Sequence, residues 1–187
     1  MTKTGAGTLT LAGSNTYAAV PGYSYTGLTW VREGTLAVGL PNAIAAASSL
    51  TVDSGATFDR AGFSQTVTNA AINGSVVNTG GGGVLTVTGT LSGFGVVNGN
   101  VAVGGVQGSG SGPGTQTFTN DLSYLAGAAV NWELIANTTG SSGIVSDQIV
   151  LPTGNLVFSG STAMNLSFNA AGSTVNWTDP FWGVNRS

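Results

Sequence analysis

The chain has 187 residues, a formal net charge of −3 and only 6% charged residues. Four basic residues are too few to neutralise a phosphate backbone, so nucleic acid is not expected as a partner. With no cysteine and no histidine, the chain has no disulfide bonds, no thiolate metal site and not the commonest general base. No apolar run reaches about 18 residues, so no membrane insertion of this segment is expected.

A short phrase recurs along the chain, in which a glycine or small polar residue precedes alternating apolar and small residues. Its clearest copy is 34–39, where Leu36 and Val38 fall on one face. Such alternation predicts a short strand with one buried face. Further copies are 7–11, 49–52, 55–58, 84–87, 99–103, 114–118, 154–158 and 164–168. With no helical spacing between them, these strands predict an all-β, repetitive protein.

The spacing of the strands favours a solenoid. Residues 4–39 hold three predicted strands separated by turn residues, which fits one coil of a β-helix better than a set of hairpins. Coils of about 20 to 30 residues would make six to eight coils. The predicted fold is a right-handed parallel β-helix, a β-solenoid, followed by an irregular aromatic segment at 179–186.

We expect one solenoid domain over 1–187, as a segment of a larger secreted protein. The Gly/Ser/Pro stretch 108–114 is either a sub-boundary within it or a surface loop between strands. Residues 40–47 are the only helix-capable patch, and we expect one helical turn there, bridging two coils.

The first unit resembles a known repeat. Much of it matches the sequence pattern of the autotransporter-associated β-strand repeat, also called the passenger-associated transport repeat. The matching positions are Lys3, Gly5, 7–11, Gly13, 15–17, 25–27, Thr29, Val31 and 34–39. Residues 61–67 and, more loosely, 108–177 resemble segments that accompany it. The insertion at 18–24 departs from the pattern. The resemblance implies a bacterial surface-displayed or secreted protein, whose repeats are thought to act as stalks and to help the passenger fold during export.

Few residues could carry catalysis. Asp53 and Asp59 flank one predicted strand and could pair as glycosidase carboxylates, with Arg60 beside them. The alternative is that Asp53 begins a turn and that Arg60 is a solvated partner. We favour the second interpretation and expect no catalytic residues and no enzyme. No window holds enough carboxylates for calcium, so neither a metal site nor a cofactor is expected.

Aromatic side chains are the remaining candidates for a site. Tyr17, Tyr23 and Tyr25 lie close together in sequence and could stack on a sugar ring, although Tyr17 and Tyr25 also match the repeat, which suggests packing. Alternation places Trp30 on the same face as Leu28, which predicts a core position for Trp30.

The sequence therefore predicts a structural stalk or fibre segment of an extracellular, adhesin-related bacterial protein. Its expected partners are neighbouring coils of the parent chain or other copies of itself, because open solenoid ends expose unpaired strand edges. Surface glycans are a further partner under the alternative carbohydrate-binding interpretation. A polysaccharide-active enzyme is the third hypothesis.

Overall fold

The computed structural model describes residues 1–13, 27–108, 110, 112–134, 146–168 and 178. Within these ranges the chain forms twenty short strands and no helix. The strands form three sheets, and all pairings between strands are parallel. Each sheet is one side of the same coil, so the chain is a right-handed parallel β-helix, as predicted.

The first sheet has eight strands: β1 (Thr2–Lys3), β3 (Leu28–Val31), β5 (Ser49–Val52), β8 (Asn69–Ile72), β11 (Thr90–Ser92), β14 (Val106–Gln107), β17 (Ala129–Leu134) and β20 (Ala163–Phe168). The second has seven: β2 (Thr8–Leu11), β4 (Thr35–Val38), β6 (Thr57–Asp59), β9 (Ser75–Val77), β12 (Val96–Val97), β15 (Thr115–Phe118) and β18 (Gln148–Val150). The third has five: β7 (Gln65–Val67), β10 (Val84–Val87), β13 (Asn100–Val103), β16 (Leu122–Tyr124) and β19 (Leu156–Phe158).

Register fixes the length of a coil. Leu28 pairs with Ser49, and Ser49 pairs with Asn69, so these coils take 21 and 20 residues. Later coils lengthen where insertions occur: Ala129 pairs with Ala163, 34 residues on. Eight strands at about 4.8 Å spacing make a stack about 34 Å long.

The core is built from columns of identically placed side chains. On the second sheet, Leu36, Phe58, Val76, Val97 and Phe118 stand in register and are all buried. Each buries its apolar surface against the coil above and the coil below, at roughly 25 cal/mol per Å². The alternation of apolar and small residues in the sequence therefore corresponds to strands that bury one face only.

Residues 40–47 do not form the predicted helical turn. Asn42 has φ of +49°, a left-handed conformation that ends a helix. The segment instead makes two tight turns and buries Ala43 and Ile44. Gln65 of the next coil holds it, since the Gln65 amide donates to the Leu40 carbonyl at 2.9 Å and accepts from Ile44 N at 3.3 Å.

Trp30 does not lie in the core as predicted. In β3 the buried side chains are Thr29 and Val31, so Leu28 and Trp30 face outward. Val31 decides which side chains of β3 point inward, because it stacks on Val52 of the next coil. The Arg32 guanidinium lies over the outward-facing Trp30 ring, 4.8 Å from its centroid.

Candidate functional site

The tyrosines proposed from sequence as a sugar platform, Tyr17, Tyr23 and Tyr25, lie outside the described residues. The aromatic segment at 179–186 lies outside them as well. The described part of the chain contains no group of three or more residues that could hold a metal ion. None of its segments is a helix long and apolar enough to cross a membrane.

Asp53 and Asp59 have separate structural roles. The Asp53 carbonyl accepts from Ala56 N at 2.9 Å, which closes the predicted turn. The carboxylate of Asp59 accepts from Ala61 N at 2.8 Å and from both Thr79 N and Thr79 Oγ1, at 3.2 and 2.8 Å. Three donors hold this carboxylate in place, where it caps a turn.

Arg60 is not the solvated partner that the sequence suggested. It points into the core and is 0% exposed. Its Nη2 donates to the Asn98 carbonyl at 3.3 Å, while Nε and Nη1 have no hydrogen-bond partner within the part of the chain that the structure describes. Burial lowers the Arg60 pKa from its ordinary value, and the neighbouring Asp59 charge partly offsets this. Gly99 makes room for the guanidinium, because a Cβ there would lie 2.1 Å from Nη2.

A cleft of about 370 Å³ lies on the first sheet and crosses β11, β14, β17 and β20. This volume is typical of a small-molecule site. The Gly/Ser/Pro stretch 108–114, which joins β14 to β15, contributes Gly108 and Gly110 to the cleft. The other described lining residues come from the four strands and from Asp147: Thr90, Ser92, Val106, Asn131, Trp132, Glu133, Asn165, Leu166 and Ser167.

Asp147 fixes one wall of the cleft. Its carboxylate accepts from Gly114 N at 3.1 Å and from Glu133 N at 3.0 Å, so it ties the residue that precedes β15 to β17. Its backbone carbonyl accepts from the Trp132 indole at 2.7 Å. The Trp132 ring also packs edge-on against Phe168, with centroids 6.2 Å apart. Trp132 is thereby held in one orientation beside the cleft.

The outer positions of β17 and β20 supply free polar groups. Asn165 Nδ2 donates to Asn131 Oδ1 at 2.8 Å, which stacks the two carboxamides in register. The pair leaves the Asn131 Nδ2 donor and the Asn165 Oδ1 acceptor without a partner among the described residues. The Glu133 carboxylate is also without a partner there, and its side chain is half-buried.

Comparison with models of known protein families gives a match over the start of the chain. The sequence model of the family described as Passenger-associated-transport-repeat matches residues 1–38. Residues 1–38, called the transport repeat below, are similar to this family. No curated protein matches the chain, and no solved structure matches it.

The transport repeat forms the first coils of the β-helix. It contains β1 to β4, and β3 and β4 pair in parallel with β5 and β6, which lie beyond residue 38. The repeat and the following coils therefore share continuous sheets. The match confirms the resemblance read from the sequence over residues 1–38.

The cleft lies several coils away from the transport repeat, and sequence reasoning missed it. Its residues come from strands that are distant in sequence, so no local motif contains them. One signal was present: Asp147, a carboxylate in a chain with few charges, directly precedes β18. Only the register of β17 on β20 brings these residues together.

Proposed function

We propose that this chain is a structural rod segment of the passenger of a secreted or surface-displayed bacterial autotransporter-like protein, acting as the stalk of an adhesin. The observation that carries the proposal is the transport repeat at 1–38, whose strands continue into the sheets of the following coils. A rod holds a distal binding region away from the cell surface. Stacking also lets each coil template the next, which suits folding during export.

The rod is supported by the way burial is organised. Columns such as Val67, Val87, Val103 and Tyr124 on the third sheet run from coil to coil, and all four residues are buried. Stability in such a stack is a sum over neighbouring coils, so a whole coil is a replaceable unit and half a coil is not.

Two deletions test the rod. Removing 69–89 takes out one coil, because Asn69 and Thr90 occupy equivalent positions on the first sheet. We expect this variant to keep its β-sheet circular dichroism and a cooperative unfolding transition. Removing 69–78 takes out β8 and β9 but leaves β10, so the sheets lose phase and the variant should fail to fold. Equal tolerance of both deletions would contradict a stacked solenoid.

A second candidate function is end-to-end self-association, with another copy of the chain as the partner. In the last described coil, Phe158 and Met164 are 57% and 64% exposed, although they pair with Tyr124 and Val130, which are buried. At the other end Leu9 is exposed, although it pairs with the buried Leu36. These apolar side chains occupy core positions without a covering coil among the described residues, and a second copy would cover them.

Light scattering and negative-stain microscopy over a concentration series test this assembly. Filaments that lengthen with concentration are expected, and Met164→Lys should shorten them because it places a charge in the contact. Thr51→Lys, on the outer face of β5, is the matched control and should leave filaments intact. Particles that remain single rods at all concentrations would exclude self-association and leave the stalk proposal standing.

A further inference from the structure

The stalk proposal does not account for the cleft on the outer face of the first sheet. Most of that face carries isolated small side chains, whereas the cleft gathers two carboxamides, three hydroxyl groups and two carboxylates around one concave space. We propose that this cleft binds an uncharged oligosaccharide, independently of the role of the rod as a stalk.

The surface of the cleft matches the two kinds of surface on a sugar. Val106, on the outer face of β14, supplies apolar area, against which the C–H face of a sugar ring packs, and Trp132 and Leu166 also contribute to the lining of the cleft. Thr90, Ser92 and Ser167 surround them with hydroxyl groups. A concave, partly apolar surface with a few convergent polar groups is the usual form of a small-molecule site.

The unpaired hydrogen-bonding groups of the cleft favour a ligand that carries hydroxyl groups. The Asn131–Asn165 pair presents one amide donor and one carbonyl acceptor side by side. A hydroxyl group both donates and accepts, so neighbouring hydroxyls of a sugar satisfy both, whereas an ammonium group can only donate. The Glu133 carboxylate adds an acceptor for two further hydroxyls.

Charge argues against an acidic ligand. The described lining residues include Glu133 and Asp147 and no lysine or arginine. A sialylated or uronic-acid glycan would therefore place its carboxylate beside carboxylates, which is unfavourable. Asp147 is already occupied by two backbone N–H groups, so its role is to hold the wall and the Trp132 ring rather than to contact ligand.

The cleft is also held in shape before a ligand arrives. Asp147 joins the residue that precedes β15 to β17, the Trp132 indole donates to its carbonyl, and the carboxamide pair bridges β17 and β20. A site whose groups are already oriented loses less conformational entropy on binding.

Titration calorimetry of the intact chain against neutral hexasaccharides of glucose, galactose, mannose and N-acetylglucosamine tests the site. We expect saturable binding of at least one of them, and no binding of sialylated oligosaccharides or of hexalysine. Glu133→Gln and Asn165→Ala should each weaken binding at least tenfold. Both positions lie at the surface of the cleft, and their substitution leaves the core columns intact.

Matched controls separate the cleft from the rod. Glu33→Gln makes the same change about five coils away, and Asn100→Ala removes an exposed carboxamide on β13 of the third sheet. Neither should alter binding. The proposal is overturned if no neutral hexasaccharide binds, if binding persists in both cleft variants, or if hexalysine binds more tightly than the sugars. None of these outcomes bears on the deletion test of the stalk.

Discussion

Replacing Arg60 by methionine should stabilise the protein. The guanidinium is buried, and among the described residues Nη2 alone has a partner, the Asn98 carbonyl at 3.3 Å. Nε and Nη1 are left without hydrogen bonds, and each such buried donor costs about 1–3 kcal/mol. Against that gain, the variant loses one charge-assisted hydrogen bond, which contributes about 1.5–3 kcal/mol. Methionine fills a similar narrow space with no polar atom to desolvate.

The expected net effect is a free energy of unfolding higher by about 1–3 kcal/mol, in the range seen when buried charges are replaced by apolar groups. Urea unfolding followed by circular dichroism measures it, with an unchanged m-value showing that the change lies in stability. Arg32→Met is the matched control, because Arg32 is 54% exposed and its Nε lies 4.0 Å from Asp53 Oδ2. We expect that control to cost about 1 kcal/mol or less.

A loss of stability in the Arg60→Met variant greater than that in Arg32→Met would refute the reasoning. It would mean that the buried guanidinium is satisfied by bound water or an anion, and that removing it leaves those groups unpaired. Arg60→Lys gives an independent check. It keeps the charge but loses the planar fork that reaches the Asn98 carbonyl, so it should be less stable than the parent chain.

Three further predictions concern the stack. Leu85→Ala, in a core column, should lower the free energy of unfolding by about 2–5 kcal/mol, measured by urea unfolding, whereas Thr86→Ala on the opposite face of β10 should lower it by about 1 kcal/mol or less. Equal losses would contradict the burial of Leu85 and the outward position of Thr86. Gly74→Ala should destabilise by several kcal/mol because its Cβ would lie 2.2 Å from the Asp53 carbonyl oxygen, whereas Gly7→Ala, with open space around it, should be tolerated in thermal unfolding. Burial raises the Tyr124 pKa well above its ordinary value, so the stability that the neutral phenol contributes is present below about pH 10 and is lost as pH rises further. Tyr124→Phe should flatten this alkaline decline in a pH series of urea unfolding, and an unaltered decline would contradict the assignment.

The alternation of apolar and small residues was enough to predict the strands, because it depends only on residues that are close together in the chain. A strand with one buried face needs apolar residues two positions apart, and residues 35–38, 49–52, 84–87 and 100–103 satisfy this requirement whatever they stack on. The sparse charge and the tight turns then favour a solenoid, in which each coil buries those faces against its neighbours. The resemblance of the first 39 residues to the transport repeat was confirmed for the same reason, since the repeat is a contiguous pattern.

The sequence was less informative about which face of a strand is buried when both faces carry large side chains. In β3 the alternation Leu28, Thr29, Trp30, Val31 allows either phase, and hydrophobicity alone favoured burial of Trp30. The neighbouring coil decides otherwise, because Val31 stacks on Val52 and Trp30 then lies outside under Arg32.

The sequence by itself thus determined the β-helix, the positions of most strands and the transport repeat, since each depends on residues close together in the chain. The tertiary structure decided the rest. Arg60 is buried because the stack places Asn98 and Gly99, nearly forty residues later, around its guanidinium. The cleft exists because register sets Asn131 beside Asn165 and because the Asp147 carboxylate accepts a hydrogen bond from Glu133 N of β17. Contacts of this kind join residues one or more coils apart, and coil length varies with each insertion, so no pattern in the sequence specifies them.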